Sequence, residues 1–281
     1  MKKPSDILLL IVFVLPPILI FEIVSNQQNF IYPEQQEIQT SPRKIVEQKS
    51  KVLPTIVPKP EVIEHGLRTK HQIALTFDAD MTQVMYVMLQ KRFVKSWYNK
   101  PIKETLDKEK VKATIFLSGL WVKAYPQETK ELAQDPLIEV GNHSFDHPAF
   151  TANCYKLPRI QNSSKLNEVQ DAQKAIEETT GITPKYFRFP GGCYEKVDIE
   201  TIARLGLKII HWDVAANDGF NTKTELIVRQ VLSHVQNGSI VVFHIHDGPY
   251  APKTNEALLK IIPALKKQGY QFVTISELLA E

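Results

Sequence analysis

Five short stretches of this sequence put acids, imidazoles and a guanidinium where they could act together. NHSFDHPAF holds His143 and His147 four residues apart, and LTFDAD holds Asp78 and Asp80 two apart. On a helical turn, imidazoles at i and i+4 face one way and can grip one metal ion; in a loop they would be two unrelated histidines. Asp78 or Asp80 would complete such a site, and a carboxylate not spent on the metal can take a proton from water. In FRFPGGCY, Arg188 either braces that carboxylate through a bidentate pair or makes a surface ion pair. Gly191 and Gly192 bend the chain, allow close backbone approach to a ligand and offer an N–H to a developing oxyanion. FHIHDG carries His244 and His246, which share one face of a strand. His244 can protonate a leaving group; alone, either histidine would be only a polar residue at a strand end.

The surrounding elements give these stretches a common position. From Gln72 onward strands alternate with helices. Strands are predicted at Ile73–Phe77, Ala113–Leu117, Leu137–Val140, Tyr186–Phe189, Lys208–Val214, Ile240–His244 and Phe272–Ile275. Helices fall between them, the clearest over Lys165–Thr179, where Leu166, Val169, Ala172, Ala175 and Ile176 recur at helical spacing and Gly181 stops the run. Alternation of this kind implies parallel pairing, and about seven repeats imply an α/β barrel, closed or nearly so. In such barrels functional groups gather at the C-terminal ends of the strands. Asp78 and Asp80, His143 and His147, Arg188, Asp213 and Asp218, and His244 and His246 all follow predicted strands.

Composition is that of a globular protein: 43% hydrophobic, 23% charged, net charge +3. This is far from the basic extreme of nucleic-acid binders, so no nucleic-acid partner is expected, and no partner protein is implied. The N-terminus differs. Lys2 and Lys3 precede the apolar run Ile7–Phe21, the layout of an export signal. Pro16–Pro17 and the short run argue against a straight membrane span. Residues 1–24 are therefore read as either a signal peptide or an uncleaved membrane anchor, and both place the remainder outside the cytoplasm. Residues 25–64, with six Gln, five Pro and no Gly, read as a flexible spacer, and residues 65–281 as the folded domain. The only cysteines, Cys154 and Cys193, could form one disulfide at the same rim.

In order and spacing, Asp78 within T-F-D, His143-x-x-x-His147, Arg188-x-Pro190, Asp218 after Trp212, and His244 closing an I-V-V-F run resemble the polysaccharide deacetylase family, the NodB-homology or carbohydrate esterase family 4 domain. The resemblance covers Gln72 to Leu279. It implies a distorted (β/α) barrel and metal-dependent hydrolysis of N-acetyl, sometimes O-acetyl, groups on sugars. It implies a divalent metal, zinc first, with Co2+, Mn2+ or Ni2+ as alternatives. By position it makes Asp78 the catalytic base, His143 and His147 metal ligands, Arg188 the brace of the base, Asp218 the acid that tunes the catalytic histidine, and His244 that histidine.

Three positions depart from the family pattern. The second acid of T-F-D-D-G is Ala79 here, and an acid returns at Asp80, which alternation puts on the side of Asp78. Either Asp80 or water then fills the missing ligand position. Gly191 stands where an aromatic residue is usual, and Gly219 where a Trp is frequent. Trp97 and Tyr98, in the long segment Met81–Pro101, either replace those sugar contacts or pack on the barrel. The expected substrate is an acetylated polysaccharide, peptidoglycan first, with exopolysaccharide, chitin-like oligomers and acetylated xylan as alternatives. Two competing readings are a sugar-binding module that has lost turnover and a metal hydrolase acting on a non-sugar amide.

Overall fold

The computed structural model describes residues 60–280. The apolar segment 1–24 and the spacer up to residue 59 lie outside the described residues. Among the described residues no helix is long and apolar enough to cross a membrane.

The strands are β1 (Val62–Ile63), β2 (Gln72–Ala79), β3 (Ala113–Leu117), β4 (Ile138–Asn142), β5 (Tyr186–Phe187), β6 (Lys208–Ile210), β7 (Val214–Ala215), β8 (Ile240–His244) and β9 (Gln271–Phe272). Eight lie in the order β1-β6-β5-β4-β3-β2-β8-β7, all parallel, and β9 pairs with the start of β2. The helices are α1 (Gln83–Gln90), α2 (Lys100–Glu109), α3 (Gly119–Ala124), α4 (Pro126–Gln134), α5 (Lys165–Thr180), α6 (Lys196–Ala203), α7 (Thr224–His234), α8 (Thr254–Lys267) and α9 (Ile275–Leu278). This is the distorted (β/α) barrel.

Alternation along β2 sorts its side chains. Ile73, Leu75, Phe77 and Ala79 pack outward against helical residues such as Leu106, Leu258 and Ile262. Ala74 belongs instead to the inner cluster with Phe116, Tyr186, Ile210 and Ile240, closed below by Ile275 and Leu278 of α9. Thr76 and Asp78 share the inward face with Ala74, because residues two apart point the same way. Burial of each large apolar side chain stabilises the barrel by about 1.5–3 kcal/mol.

Two features differ from the sequence reading. The sheet starts within the stretch read as spacer, since Val62 and Ile63 pair with Ile209 and Ile210. The run Lys208–Val214 is not one strand: it breaks at His211–Asp213 into β6 and β7, which lie at opposite ends of the strand order. The chain thus crosses the opening of the barrel in three residues. Asp213 is consequently not at the catalytic rim. It lies at the start of β8, accepting from Arg68 (2.7 Å), the Ser239 hydroxyl (2.9 Å) and the Ile240 N–H (2.8 Å).

Cys154 and Cys193 are disulfide-bonded, tying the loop after His147 to the Gly191–Gly192 bend across 39 positions of sequence. Closing a loop of this length is worth about 3–4 kcal/mol in the chain-entropy model. Replacing both cysteines by serine should lower the unfolding free energy by about that amount, read by denaturant titration at unchanged secondary structure; unaltered stability would contradict it.

Candidate active site

Asp78 ends the buried part of β2 and stands opposite His244 of β8 in the strand register. Arg188, just past β5, is fully buried. Its Nη1 donates to Asp78 Oδ1 at 2.7 Å, while Nε and Nη2 donate to the carbonyls of Ile210 (3.4 Å) and His211 (3.2 Å). The pair is therefore single-pronged, not bidentate, because the break after β6 turns two carbonyls toward the guanidinium. The guanidinium also lies 4.1 Å from the centre of the Phe116 ring. A buried arginine is stable only when its charge and donors are met, which excludes a surface ion pair. Asp78 keeps Oδ2 for the site, 3.7 Å from His143 Nε2.

Asp80 returns to the face of Asp78, while Ala79 packs into the outer core. Asp80 Oδ1 lies 3.3 Å from both His143 Nε2 and His147 Nε2. The two histidines do not reach it from a helical turn. Ser144 and His147 both have positive φ (67° and 59°), so a tight turn after β4 folds the second ring back to 4.9 Å from the first. Glu168 of α5 fixes that turn by accepting the N–H groups of Phe145 and Asp146, both at 2.7 Å. No motif in the sequence pointed to Glu168.

His143 Nδ1 donates to the Arg188 carbonyl at 2.9 Å, leaving Nε2 free toward Asp80. Among the described residues, Asp80, His143 and His147 form a group able to hold a metal ion. Asp80 Oδ1 and His143 Nε2 are buried without hydrogen-bond partners. Orphaned buried donors and acceptors are costly, and a divalent cation among them would satisfy both, so the residues fit such a group. Burial works against the charge of Asp80, but His147, with His143 and His246 beside it, holds its carboxyl well below the usual range.

His244 Nδ1 lies 2.8 Å from Asp218 Oδ1. The other oxygen of Asp218 accepts from the His244 backbone N–H (2.8 Å) and the Thr254 hydroxyl (2.6 Å). Thr254, at the start of α8, was not among the sequence candidates, and an isolated Thr after a loop gives no signal of its own. Burial disfavours the imidazolium of His244. The Asp218 carboxylate more than offsets this, with Asp80 and Asp78 adding to it, and the pKa is pushed up to about 10. His244 is thus held protonated with Nε2 directed away from Asp218, poised as a proton donor. Removing the carboxylate in Asp218→Asn lowers that pKa, so the basic limb of the kcat/KM profile should move to lower pH, while the acidic limb stays. An unmoved basic limb would detach Asp218 from this task.

A cavity of about 510 Å³ opens above these groups. Gly191 lines it with φ of +61°, and an added Cβ there would meet Cys154 Sγ at 2.7 Å and the Tyr155 ring at 2.9 Å. The aromatic residue usual at this position has no room, because the disulfide-tied loop brings Tyr155 into its place. Tyr155 packs against Phe220 (5.4 Å between ring centres), and both line the cavity, as does Tyr250; all three are half or more exposed. Gly192 is committed differently: its N–H donates to the Phe189 carbonyl at 2.9 Å. It is removed as an oxyanion donor, and Gly191 remains. Trp97 is buried, with Nε1 donating to the Met85 carbonyl at 2.9 Å, and Tyr98 packs edge-on against Trp121. The segment carrying them is a packed insertion and not a sugar platform.

The parallel barrel, with acids and imidazoles converging at one rim, is shared with known proteins. The family model for polysaccharide deacetylase matches residues 65–210, and the chain belongs to that family. Peptidoglycan-N-acetylglucosamine deacetylase PgdA of Listeria monocytogenes is 33% identical over 231 residues, 82% of this chain and 43% of its own length. Protein YlxY of Bacillus subtilis, itself uncharacterized, is 32% identical over 66% of this chain and 55% of its own. The chain thus spans about half the length of these relatives. Among solved structures, the carbohydrate esterase family 4 pseudoenzyme BA3943 of Bacillus anthracis superposes with a TM-score of 0.65 at 28% identity, over 79% of this chain and 70% of its own.

Proposed function

We propose that this protein is a metal-dependent deacetylase that removes N-acetyl groups from an extracytoplasmic glycan, with peptidoglycan as the first substrate. The observation that carries the reading is the pairing of an anchored carboxylate, Asp78, with a histidine held protonated, His244, across one cavity. The relatives named as peptidoglycan deacetylases supply the choice of polymer, and the export-type N-terminal segment supplies the location, as signal or anchor.

In this reading Asp80, His143 and His147 hold the divalent cation, zinc first. When bound, that ion supplies a Lewis acid for the acetyl carbonyl. Asp78 removes a proton from the attacking water, kept in orientation by Arg188. The Gly191 N–H faces the oxygen on which charge develops. His244 gives its Nε2 proton to the departing sugar amine, and Asp218 keeps it charged until then. Acetate release by the full chain from a panel of acetylated glycans, with and without chelator, tests this. Release from peptidoglycan that chelator abolishes is expected.

Likeness to a pseudoenzyme, together with Ala79, favours a second reading, a sugar-binding protein without turnover. Retained glycan binding with no acetate from any substrate, at full metal loading, would select it. The exposed rings of Tyr155 and Phe220 suit the apolar faces of sugar units. Alanine at either should raise KM by roughly 2- to 12-fold, the equivalent of a 0.5–1.5 kcal/mol aromatic contact, with kcat little changed. A fall in kcat at constant KM would instead tie these rings to the chemistry.

A further inference from the structure

His246 has no task in the chemistry above, yet it is one of the most confined polar groups at the rim. Its side chain is 2% exposed and its Nε2 lacks a hydrogen-bond partner. Strand geometry explains why it is there. Asp78 stands opposite His244, and the pairing continues through the Ile245 N–H to the Asp78 carbonyl at 3.1 Å. Two residues further along each strand, Asp80 and His246 return to the same inner face. His246 Nε2 lies 3.4 Å from Asp80 Oδ2, close to the 3.3 Å that separates Oδ1 from the two other histidines.

The protonation of the ring follows from its other nitrogen. Nδ1 faces the Trp97 carbonyl at 3.4 Å. A carbonyl can only accept, so Nδ1 carries the hydrogen and Nε2 of the neutral ring presents a lone pair. That lone pair points at a carboxylate oxygen in a dry setting, an arrangement that repels unless a cation lies between. His143 repeats the pattern, with Nδ1 on the Arg188 carbonyl and Nε2 orphaned beside Asp80. A backbone carbonyl on the far nitrogen is how metal-binding imidazoles are oriented. Donor atoms held at about 2.0–2.1 Å from one ion in tetrahedral array sit about 3.3 Å apart, which matches all three contacts of Asp80. The packed insertion also gains a purpose, since it carries the carbonyl that orients His246.

We propose that His246 is a fourth protein ligand of the cation held by Asp80, His143 and His147. This rests on the reading of that cluster as a metal site. The D-A-D of β2 and the H-I-H of β8 then form one device, in which the displaced acid and the extra imidazole meet across neighbouring strands. Four protein ligands leave an open position only at coordination number five or six, so the site should accept ions comfortable there, such as Co2+ and Ni2+.

The test is titration of the metal-free full chain with Zn2+ and Co2+, for the wild type, His246→Ala and His246→Gln, with circular dichroism as the check of folding. Both variants are expected to bind Zn2+ at least tenfold more weakly, and their Co2+ complexes to show altered visible bands, because a nitrogen has left the ion. Gln keeps a side-chain N–H for Asp80 Oδ2. Wild-type affinity and spectrum in His246→Gln would therefore reduce His246 to a hydrogen-bond partner of Asp80 and overturn the proposal. Unchanged binding in both variants would do the same. A wild-type chain that binds neither ion would sink the underlying site itself, an outcome distinct from either.

Discussion

Asp78→Asn should lower kcat by roughly 10²–10⁴ while the protein keeps its metal. The expectation rests on how the two acids of β2 divide their contacts. Asp78 Oδ1 is taken by Arg188 at 2.7 Å, and its other oxygen stands 3.7 Å from His143, farther than either oxygen-to-histidine contact that Asp80 makes with His143 or His147. Asp78 is thus placed to exchange a proton with water, and Asp80 to touch the imidazoles. Asparagine keeps the shape of the side chain but loses basicity. It also leaves Arg188 with an uncompensated buried charge, which can destabilise a protein by about 3–5 kcal/mol. Metal content and the unfolding midpoint must therefore be measured beside kcat. A folded variant that has lost its metal would make Asp78 a ligand and reverse the division of labour. His244→Ala should cost a similar factor, since the second proton transfer then has no donor.

The sequence made the α/β class and most of the rim legible because alternation and strand-end placement are local signals. β3 and β8 fall where their unbroken apolar runs place them, and α5 where its helical spacing and Gly181 place it. The break between β6 and β7 was not legible. KIIHWDV reads as one continuous strand, and only the closure of the barrel, a long-range constraint, forces a crossing at His211–Asp213. The same crossing removed Asp213 from the rim and turned the Ile210 and His211 carbonyls onto Arg188. The turn holding His143 and His147 was equally hidden, since i, i+4 spacing fits a helix as well as a turn with two left-handed residues. Glu168 and Thr254 act from helices distant in sequence, on backbone N–H groups and on Asp218, and nothing in their own surroundings marks them. The disulfide and Gly191 belong to one decision: with Tyr155 carried in by the Cys154 loop, only glycine fits opposite it.

Asp80→Ala should weaken divalent-metal binding more than about 100-fold, beyond the 10- to 100-fold typical of losing an outer-shell partner. It removes the single carboxylate in reach of both His143 and His147, and with it the negative charge that favours a dication in a buried setting. Water could fill the vacated volume but not the charge. The pH profile, measured at saturating metal, should move little. The pKa of His244 is raised chiefly by Asp218, whose contacts are intact in the variant, and Asp80 contributes less. The two readouts therefore separate a ligand from a tuning charge. Tight binding with a displaced basic limb would make Asp80 an electrostatic neighbour and leave histidines alone to hold the ion. Weak binding with an unmoved limb would mean that the acid displaced from position 79 has kept its task at position 80, because a strand restores the same face every second residue.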